Sequence, residues 1–182
     1  MVGMRVIGGE FRSRRLKTLP GSATRPTADR LRETLFDVLA PRIGGAVFVD
    51  AYAGSGAVGI EALSRGAARA VFLEKNRAAV RVIAENLKSL GLRGRSDLVS
   101  APSLSGLRKY TADIVFLDPP YDDADEYKAA LKLLGDTPPP LVIAQHDRHH
   151  ALSDEYGQLR RTRVLRQGDN MLSFFAPVFA SE

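Results

Sequence analysis

A glycine-rich segment between an apolar run and a helical pattern constrains the fold of this chain more than any other feature. Residues 46–52 form an apolar strand pattern, residues 53–59 add three glycines, and residues 60–65 are typical of a helix. Gly66 then ends the helix, as a glycine just past a helix C-terminus commonly does. Glycines let the backbone approach a ligand closely, and the first turn of a helix offers free N–H groups. The segment therefore predicts the opening βα unit of a doubly wound sheet.

Strand and helix patterns continue to alternate along the rest of the chain. Further strands are predicted at residues 69–74, 97–100, 113–117, 141–145, 158–164 and 171–177, and helices at residues 28–39, 57–65, 76–90 and 124–134. Helical segments between strands imply right-handed parallel crossovers, whereas the last two strands flank a short turn and pair antiparallel. The predicted fold is α/β and Rossmann-like: a mostly parallel seven-stranded sheet with a terminal antiparallel strand. Residues 5–17 predict an N-terminal β-hairpin that projects basic side chains.

A carboxylate, two prolines and an aromatic ring follow the apolar run at residues 114–117. They are Asp118, Pro119, Pro120 and Tyr121. Because proline has a fixed φ and no N–H, this turn is stiff and offers only hydrogen-bond acceptors. The carboxylate and a proline carbonyl can accept both N–H bonds of a flat, conjugated amine while the ring stacks on its base. The tetrapeptide resembles the motif of S-adenosylmethionine-dependent amino-methyltransferases; a proline turn closed by a core tyrosine is the alternative.

Two further carboxylates indicate which ligand the glycine loop binds. Glu74 ends the next strand, about twenty residues after the loop, where carboxylates hold ribose hydroxyls. Residues 54–59 also match GxGxxG, which occurs in dinucleotide-binding proteins. Asp50 precedes the loop, where it would repel a pyrophosphate and attract the ammonium and sulfonium charges of S-adenosylmethionine. We therefore expect S-adenosyl-L-methionine as the cofactor, with a nicotinamide or flavin dinucleotide as the alternative.

The composition excludes several classes of protein. With no cysteine, the chain can form neither disulfides nor thiolate metal sites. No apolar stretch approaches the ~18 residues that span a membrane, and the first residues lack the apolar core of a signal peptide. One α/β domain with a short appendage is expected for 182 residues. These features predict a cytoplasmic enzyme.

Positive charge is concentrated at the N-terminus. Residues 1–32 carry a net charge of +6, whereas the whole chain carries +5. Phosphate backbones are the natural partner of such a segment, and a solvated arm is the alternative. The predicted RNA contacts are Arg5, Arg12, Arg14, Arg15, Lys17, Arg25 and Arg30. A second basic run, residues 160–166, is either a solvated face or a further RNA contact.

Motifs spread over nearly the whole chain resemble one enzyme family. They are residues 5–9, residues 24–36 (TRPTADRLRETLF), the glycine loop with the helix behind it, the tetrapeptide at 118–121, and residues 168–175 (GDNMLSFF). In this order they resemble the 16S ribosomal RNA (guanine-N2) methyltransferases of the RsmD type, the guanine-966 class. The N- and C-terminal segments discriminate this family, because the loop and the tetrapeptide are shared with many amino-methyltransferases.

The resemblance implies a class I methyltransferase domain at residues 23–182 and a basic arm at residues 1–22. It implies a monomer that methylates the N2 amine of a guanine in ribosomal RNA, either free or in an assembling small subunit. The predicted catalytic residues are Asp118, Pro119, Pro120 and Tyr121. The predicted cofactor-binding residues are Thr27, Asp50, Tyr52, Ala53, Gly54, Ser55, Gly56, Glu74, Lys75, Ala101 and Pro102.

Some residues depart from the family pattern or leave alternatives open. Pro102 stands where the family often has Asp or Asn to hold the adenine, so backbone groups or a neighbouring serine are expected to replace that contact. Gln145 stands where the family often has Glu, and we assign it no role. The histidines at 146–150 lie in a polar segment without clear ligand geometry, so no metal site is predicted. Adenine-N6 DNA, glutamine-N5 protein and non-catalytic RNA-binding activities remain alternatives.

Overall fold

One mixed sheet forms the centre of the molecule. The structure, a computed structural model, describes residues 3–21, 26–120 and 123–179. Within them, eight strands pair in the order β3-β2-β1-β4-β5-β8-β7-β6. The strands are β1 Val47–Asp50, β2 Arg69–Glu74, β3 Ser96–Ser100, β4 Ile114–Leu117, β5 Leu141–Asp147, β6 Glu155–Tyr156, β7 Leu159–Gln167 and β8 Asn170–Pro177. The first five are parallel to one another, and β8, β7 and β6 continue the sheet antiparallel.

Helices cover both faces of the parallel strands. They are α1 Pro26–Ile43, α2 Ala57–Ser64, α3 Arg77–Ser89, α4 Ser103–Leu107 and α5 Ala124–Asp136. One apolar core lies between the sheet and α1, α2 and α3, and a second lies beneath α4 and α5. Because β1 and β4 are buried on both faces, they are continuous apolar runs rather than alternating ones. None of the helices within these ranges is long and apolar enough to cross a membrane.

The predicted Rossmann-like fold is confirmed, and the sheet has one strand more than the seven predicted. The additional strand, β6, is only two residues long and pairs with the start of β7. Helix α1 continues to Ile43 rather than stopping at residue 39, because Ile43 packs into the core beyond Pro41. The five-residue helix α4 was not predicted, since it is too short to show a helical period.

The N-terminal segment packs against the α/β core instead of projecting from it. Val6 and Leu16 are 1% and 6% exposed and belong to the core beneath α1, α2 and α3. The predicted hairpin pairs through an antiparallel bridge between Arg5 and Arg15, and the Val6 and Leu16 N–H groups donate to the carbonyls of Arg14 and Met4. Its basic side chains are exposed, as predicted, whereas its apolar positions supply core contacts that the sequence analysis did not predict. The boundary at residue 22 lies outside the described residues and stays a prediction.

Candidate active site

The strand order reverses between β1 and β4, and the carboxyl ends of these two strands open toward a cleft. In doubly wound sheets, ligands bind at such a switch point. Asp50 is the last residue of β1, and Asp118 follows the last residue of β4. Two adjoining cavities lie at this position, and Tyr52, Gly54 and Asp118 line both of them.

The larger cavity brings together most residues of the predicted cofactor and catalytic sites. Its volume is about 490 Å³. It is lined by Tyr52, Gly54, Glu74, Lys75, Pro102, Ser103, Leu104, Asp118, Pro119, Pro120, Asp123 and Glu126. Glu74 ends β2 and Pro102 follows β3, on one side of the switch point. Asp118 follows β4, on the other side. The cavity thus joins a predicted ribose-binding carboxylate to the predicted catalytic motif.

The smaller cavity lies beneath the glycine loop and reaches the N-terminal segment. Its volume is about 230 Å³. The lining combines loop residues with Met4, Ala28 and Arg32 from the N-terminal part of the chain and with Gln145 from β5. Asp50, Ala53 and Ser55, all predicted to bind the cofactor, line this cavity rather than the larger one.

Asp50 is buried and joins β1 to the start of α2. Its Oδ2 accepts the N–H of Gly59 at 3.0 Å, which satisfies one of the free donors in the first turn of the helix. Burial and the nearby Glu74 carboxylate raise the pKa of Asp50 to about 7, although the Gly59 hydrogen bond opposes the shift. A buried carboxylate at this position favours a cationic ligand, because a cation would stabilise its ionised form.

Asp118 has a similarly perturbed acidity. Burial raises the pKa of Asp118 to about 7, and the neighbouring Asp50 carboxylate adds to the shift. Pro119 is buried beside it and Pro120 is exposed. Two carboxylates with pKa values near neutrality in one cleft are typical of a functional site rather than of a structural ion pair.

Glu74 supports the glycine loop as well as facing the larger cavity. One oxygen accepts the N–H of Gly54 and the other accepts the N–H of Asn76, each at 2.8 Å. A carboxylate has about four acceptor positions, so these two bonds leave capacity for hydroxyl donors from a ribose. The predicted ribose contact is therefore compatible with the geometry.

Glu126 is a site residue that the sequence did not reveal. It lies on α5, and its Oε1 accepts the Tyr52 hydroxyl at 2.8 Å across the mouth of the larger cavity. Burial and this bond raise the pKa of Tyr52 above its ordinary range. No sequence motif could reveal this contact, because 74 positions separate the two residues. Their contact depends entirely on the fold.

Asn86 is a second residue that the sequence did not reveal, and it links the N-terminal segment to the glycine loop. Its side chain is 1% exposed. Its Oδ1 accepts the Lys17 N–H at 2.8 Å, and its Nδ2 donates to the carbonyls of Lys17 at 3.0 Å and Ser55 at 3.2 Å. One amide therefore fixes the position of the N-terminal segment relative to the loop.

A buried ionic cluster anchors the rest of the N-terminal segment. Glu61 is 0% exposed, and its oxygens accept the N–H groups of Ile7 at 2.9 Å and Gly8 at 2.8 Å. Arg65 pairs with the same carboxylate at 2.9 Å. Arg32, in the wall of the smaller cavity, donates to the Arg5 carbonyl at 2.8 Å. The cluster brings the segment that contains the basic residues to the edge of the cavity.

The remaining predicted cofactor residues have other positions. Gly56 lines neither cavity; it is the N-cap residue just before α2, with a φ of 82°, a conformation that favours glycine. The Ala101 N–H donates to the Glu74 carbonyl at 3.1 Å. The Ser103 hydroxyl, a possible replacement for the adenine contact, donates to the Ala51 carbonyl. Tyr121 and Arg25 lie outside the described residues, as does the side chain of Thr27.

The predicted RNA contacts that the structure describes are exposed. They are Arg5, Arg12, Arg14, Arg15, Lys17 and Arg30. Lys17 forms an ion pair with Glu85 at 2.6 Å, so part of its charge is used within the molecule. In the second basic run, Arg160 and Arg161 pair with Glu155 and Asp154.

The histidine segment forms local contacts. His146 is buried, with its Nε2 2.8 Å from the Ser173 hydroxyl. His149 lies 2.7 Å from the carboxylate of Asp147. Within the described part of the chain, no group of three or more potential metal ligands is found.

The fold and the site together define a class I methyltransferase. A family model described as "Conserved hypothetical protein 95" matches residues 4–176, and the chain belongs to this family. It is an RsmD-type methyltransferase, as its motifs predicted. This assignment removes the dinucleotide oxidoreductase and the non-catalytic RNA-binding module from the alternatives.

Comparison with individual proteins supports the family. "Ribosomal RNA small subunit methyltransferase D" of Escherichia coli K12 is 46% identical over 65% of this chain and 60% of its own length. "Putative rRNA methyltransferase YlbH" of Bacillus subtilis is 36% identical over 88% of this chain and 91% of its own. The solved structure "Putative methyltransferase yhhF" from Escherichia coli has a TM-score of 0.85 and 32% identity, covering 96% of this chain and 97% of that one.

Proposed function

We propose that the protein transfers a methyl group from S-adenosylmethionine to the exocyclic N2 amine of a guanine in small-subunit ribosomal RNA. The relatives named ribosomal RNA small subunit methyltransferase D support small-subunit ribosomal RNA as the substrate. The single observation that carries the proposal is the position of Asp118 where the two cavities meet, with Pro119 next to it in the larger cavity. Acceptors at that junction lie between a cofactor region and a second space that can receive a base.

The charge of the cleft supports a cationic cofactor. Among the residues that the structure describes, five carboxylates line the two cavities, against one lysine, Lys75, and one arginine, Arg32. A dianionic pyrophosphate would be repelled there, whereas the sulfonium and ammonium groups would be attracted. Asp50 would interact with these charges directly or through water. Glu74 would hold the ribose hydroxyls, with Lys75 and Pro102 beside the nucleoside.

Hydrogen bonds at the target amine would make methyl transfer possible. The lone pair of guanine N2 is delocalised into the ring, so the amine is a poor nucleophile. Bonds from its N–H groups to Asp118 and to the Pro119 carbonyl would favour a tetrahedral nitrogen and release the lone pair. S-Adenosylmethionine would supply the methyl group by in-line displacement, with the sulfur keeping the electron pair of the broken carbon–sulfur bond, and Asp118 or water would take the proton from the amine. Catalysis of this kind depends mainly on positioning and electrostatics.

Access to the amine requires an unpaired or flipped guanine. Tyr121 is proposed to stack on that base, a contact worth roughly 1–3 kcal/mol. Thr27, Ala101 and Gly56 are proposed to complete the cofactor site. Action on a naked RNA or an assembling particle, as a monomer in the cytoplasm, stays a prediction.

The test maps the product. Small-subunit RNA from a strain lacking the enzyme is incubated with the protein and labelled S-adenosylmethionine, both as naked RNA and as assembled particles. The expected product is a single N2-methylguanine, identified by nuclease digestion and mass spectrometry. N6-methyladenine, or label in ribosomal protein only, would contradict the proposal.

A further inference from the structure

Gln145 and Asp118 line the same cavity. Gln145 lines the smaller cavity together with Asp118, Asp50 and Phe116. The register of the sheet explains why: Leu117 on β4 pairs with Ala144 on β5, so Asp118 and Gln145 are the next pair along the two parallel strands. Phe116 and Ile143, two residues earlier on each strand, are partners in the core beneath α1, α2 and α3. Because side chains alternate along a strand, Asp118 and Gln145 extend from that same face.

The separation of these two residues suits a purine edge. Adjacent strands lie about 4.8 Å apart, which approximates the distance from the 2-amine to O6 on the Watson–Crick edge of guanine. When the amine is held at Asp118, the N1–H and O6 groups extend toward the neighbouring strand. A glutamine amide has one acceptor and two donors on adjacent atoms. Its Oε1 can therefore accept the N1–H while its Nε2 donates to O6.

We infer that Gln145 is a specificity-determining residue that reads the N1 and O6 groups of the target guanine. The inference rests on the proposed function and extends it from the reacting amine to the rest of the base edge. With adenine, whose 6-amine would occupy Asp118, the next two positions are an N1 acceptor and a C2–H, so the amide gains only one hydrogen bond. Gln145 thus favours guanine.

The main chain at this position is held independently of the side chain. The Tyr127 hydroxyl donates to the Gln145 backbone carbonyl at 2.5 Å. In addition, β5 pairs with β4 over residues 141–144 and with β8 over residues 142–147. Substitutions of the Gln145 side chain should therefore leave the strand intact, which makes the residue suitable for a functional test.

Base analogues that keep the 2-amine but differ at N1 and position 6 show whether the enzyme recognises those two positions as well as the reacting amine. RNA fragments carry guanine, 2,6-diaminopurine or 2-aminopurine at the mapped nucleotide. An amide can rotate to exchange donor and acceptor, so it pairs twice with guanine or diaminopurine and only once with 2-aminopurine. The wild-type protein should methylate the first two at similar kcat/KM and 2-aminopurine at least about five-fold more slowly, because a buried group is left unpaired.

Two variants remove hydrogen bonds that the amide supplies. Gln145→Leu should lower kcat/KM for guanine and diaminopurine by at least about five-fold and bring all three bases closer together. Gln145→Glu has no donor, so O6 of guanine and N1 of diaminopurine each face a carboxylate oxygen, and kcat/KM for both bases should fall relative to wild type. The ratio between two bases within one variant cancels the effect of the added charge on Asp118, and comparing that ratio with the wild-type ratio cancels the effect of the analogue on RNA structure.

The matched control is Gln158→Leu, the same change at an exposed position where the amide donates to the Asp136 carbonyl at 3.1 Å. It should retain the wild-type ratios. Unchanged base ratios in both Gln145 variants, with normal S-adenosylhomocysteine binding, would overturn the inference. Failure of the wild-type protein to methylate guanine itself would instead contradict the proposed function on which the inference rests.

Discussion

Glu74 has two roles: it supports the glycine loop, and it faces the larger cavity. Its oxygens hold the backbone N–H groups of Gly54 and Asn76, and its remaining acceptor capacity faces the larger cavity. Glu74→Gln keeps one acceptor oxygen but replaces the other with an NH2 group, which cannot accept a backbone N–H or a hydroxyl donor. We expect S-adenosylhomocysteine to bind roughly 1–3 kcal/mol more weakly in a folded protein. Calorimetric titration measures this change, and an unchanged affinity would exclude Glu74 from the ribose site.

Asp118 is expected to act on the methyl acceptor rather than on cofactor binding. Asp118→Ala removes the acceptor that holds the target amine, so methyl transfer should fall by at least about 100-fold. Asp118→Asn keeps one acceptor and should lose less. Single-turnover rates, with S-adenosylhomocysteine affinity measured in parallel, test this. Transfer by Asp118→Ala at the wild-type rate would show that the proposed mechanism is wrong.

Among the structural elements, the N-terminal segment differs most from its expected behaviour. Removing residues 1–22 would take Val6 and Leu16 out of the core and leave the buried Glu61 without its backbone donors. Glu61 would keep Arg65 but lose two hydrogen bonds, and a buried charge that loses hydrogen-bond partners is destabilised. Truncation is therefore unsuited to testing RNA binding, and substitutions of exposed side chains are required.

The link through Asn86 predicts that this segment supports the cofactor loop. Asn86→Ala leaves Lys17 backbone groups and the Ser55 carbonyl without their partner. We expect the free energy of unfolding to fall by about 1–3 kcal/mol and S-adenosylhomocysteine binding to weaken as well. Urea unfolding and calorimetry measure the two effects.

The control for Asn86 lies one position away on α3. Glu85→Ala removes an exposed carboxylate that pairs with the Lys17 side chain, and little change is expected in either measurement. If Asn86→Ala altered stability but not cofactor affinity, the amide would be a structural element without influence on the loop.

Sequence patterns could predict those elements and site residues that contiguous motifs define. The strand–loop–helix at residues 46–66 and the strand ending at Asp118 were predicted because burial, glycine and proline act locally. Glu126 and Asn86 could not be predicted, because their partners are distant in sequence. The packing of the N-terminal segment against the core was not predicted either. Its many arginines indicated a solvated or RNA-binding arm, whereas Val6 and Leu16 between them are buried.

At the scale of the whole molecule, the acidic cleft should reduce stability near neutral pH. The pKa of Asp118 is about 7 in the folded protein, above its ordinary value of 3.8. The folded state therefore binds more protons than the unfolded state between these values, so this group destabilises the fold as pH rises from about 4 to 7. Asp118→Asn should be more stable than wild type by roughly 1–3 kcal/mol at pH 8 and nearly equal to it at pH 4.

Urea unfolding across this pH range measures the difference between the two proteins, which cancels the titration of groups that do not interact with Asp118. Asp125→Asn, an exposed carboxylate on α5, is the control and should show no gain at pH 8. A difference for Asp118→Asn that does not vary with pH would mean that its burial does not disfavour the charge.

The distribution of positive charge yields the last prediction, for RNA binding. The triple variant Arg12→Gln, Arg14→Gln, Arg15→Gln removes three exposed charges and retains Val6 and Leu16 in the core. If all three contact phosphates, RNA affinity should fall and its dependence on log salt should flatten by about 0.7 to 0.9 per contact. Filter binding over a salt series measures the slope, and S-adenosylhomocysteine affinity should remain unchanged.

A variant that removes the same number of charges from β7, near the antiparallel end of the sheet, distinguishes the two basic regions. Substitution of Arg160, Arg163 and Arg166 on β7 by glutamine also removes three exposed charges. If RNA binds along the N-terminal segment, this second variant should keep the wild-type slope. Met4 and Arg32 line the cavity that Asp118 also lines, whereas no described residue of β7 does. If the slope changed in the β7 variant instead, the N-terminal arginines would be a solvated surface, and β7 would carry the RNA.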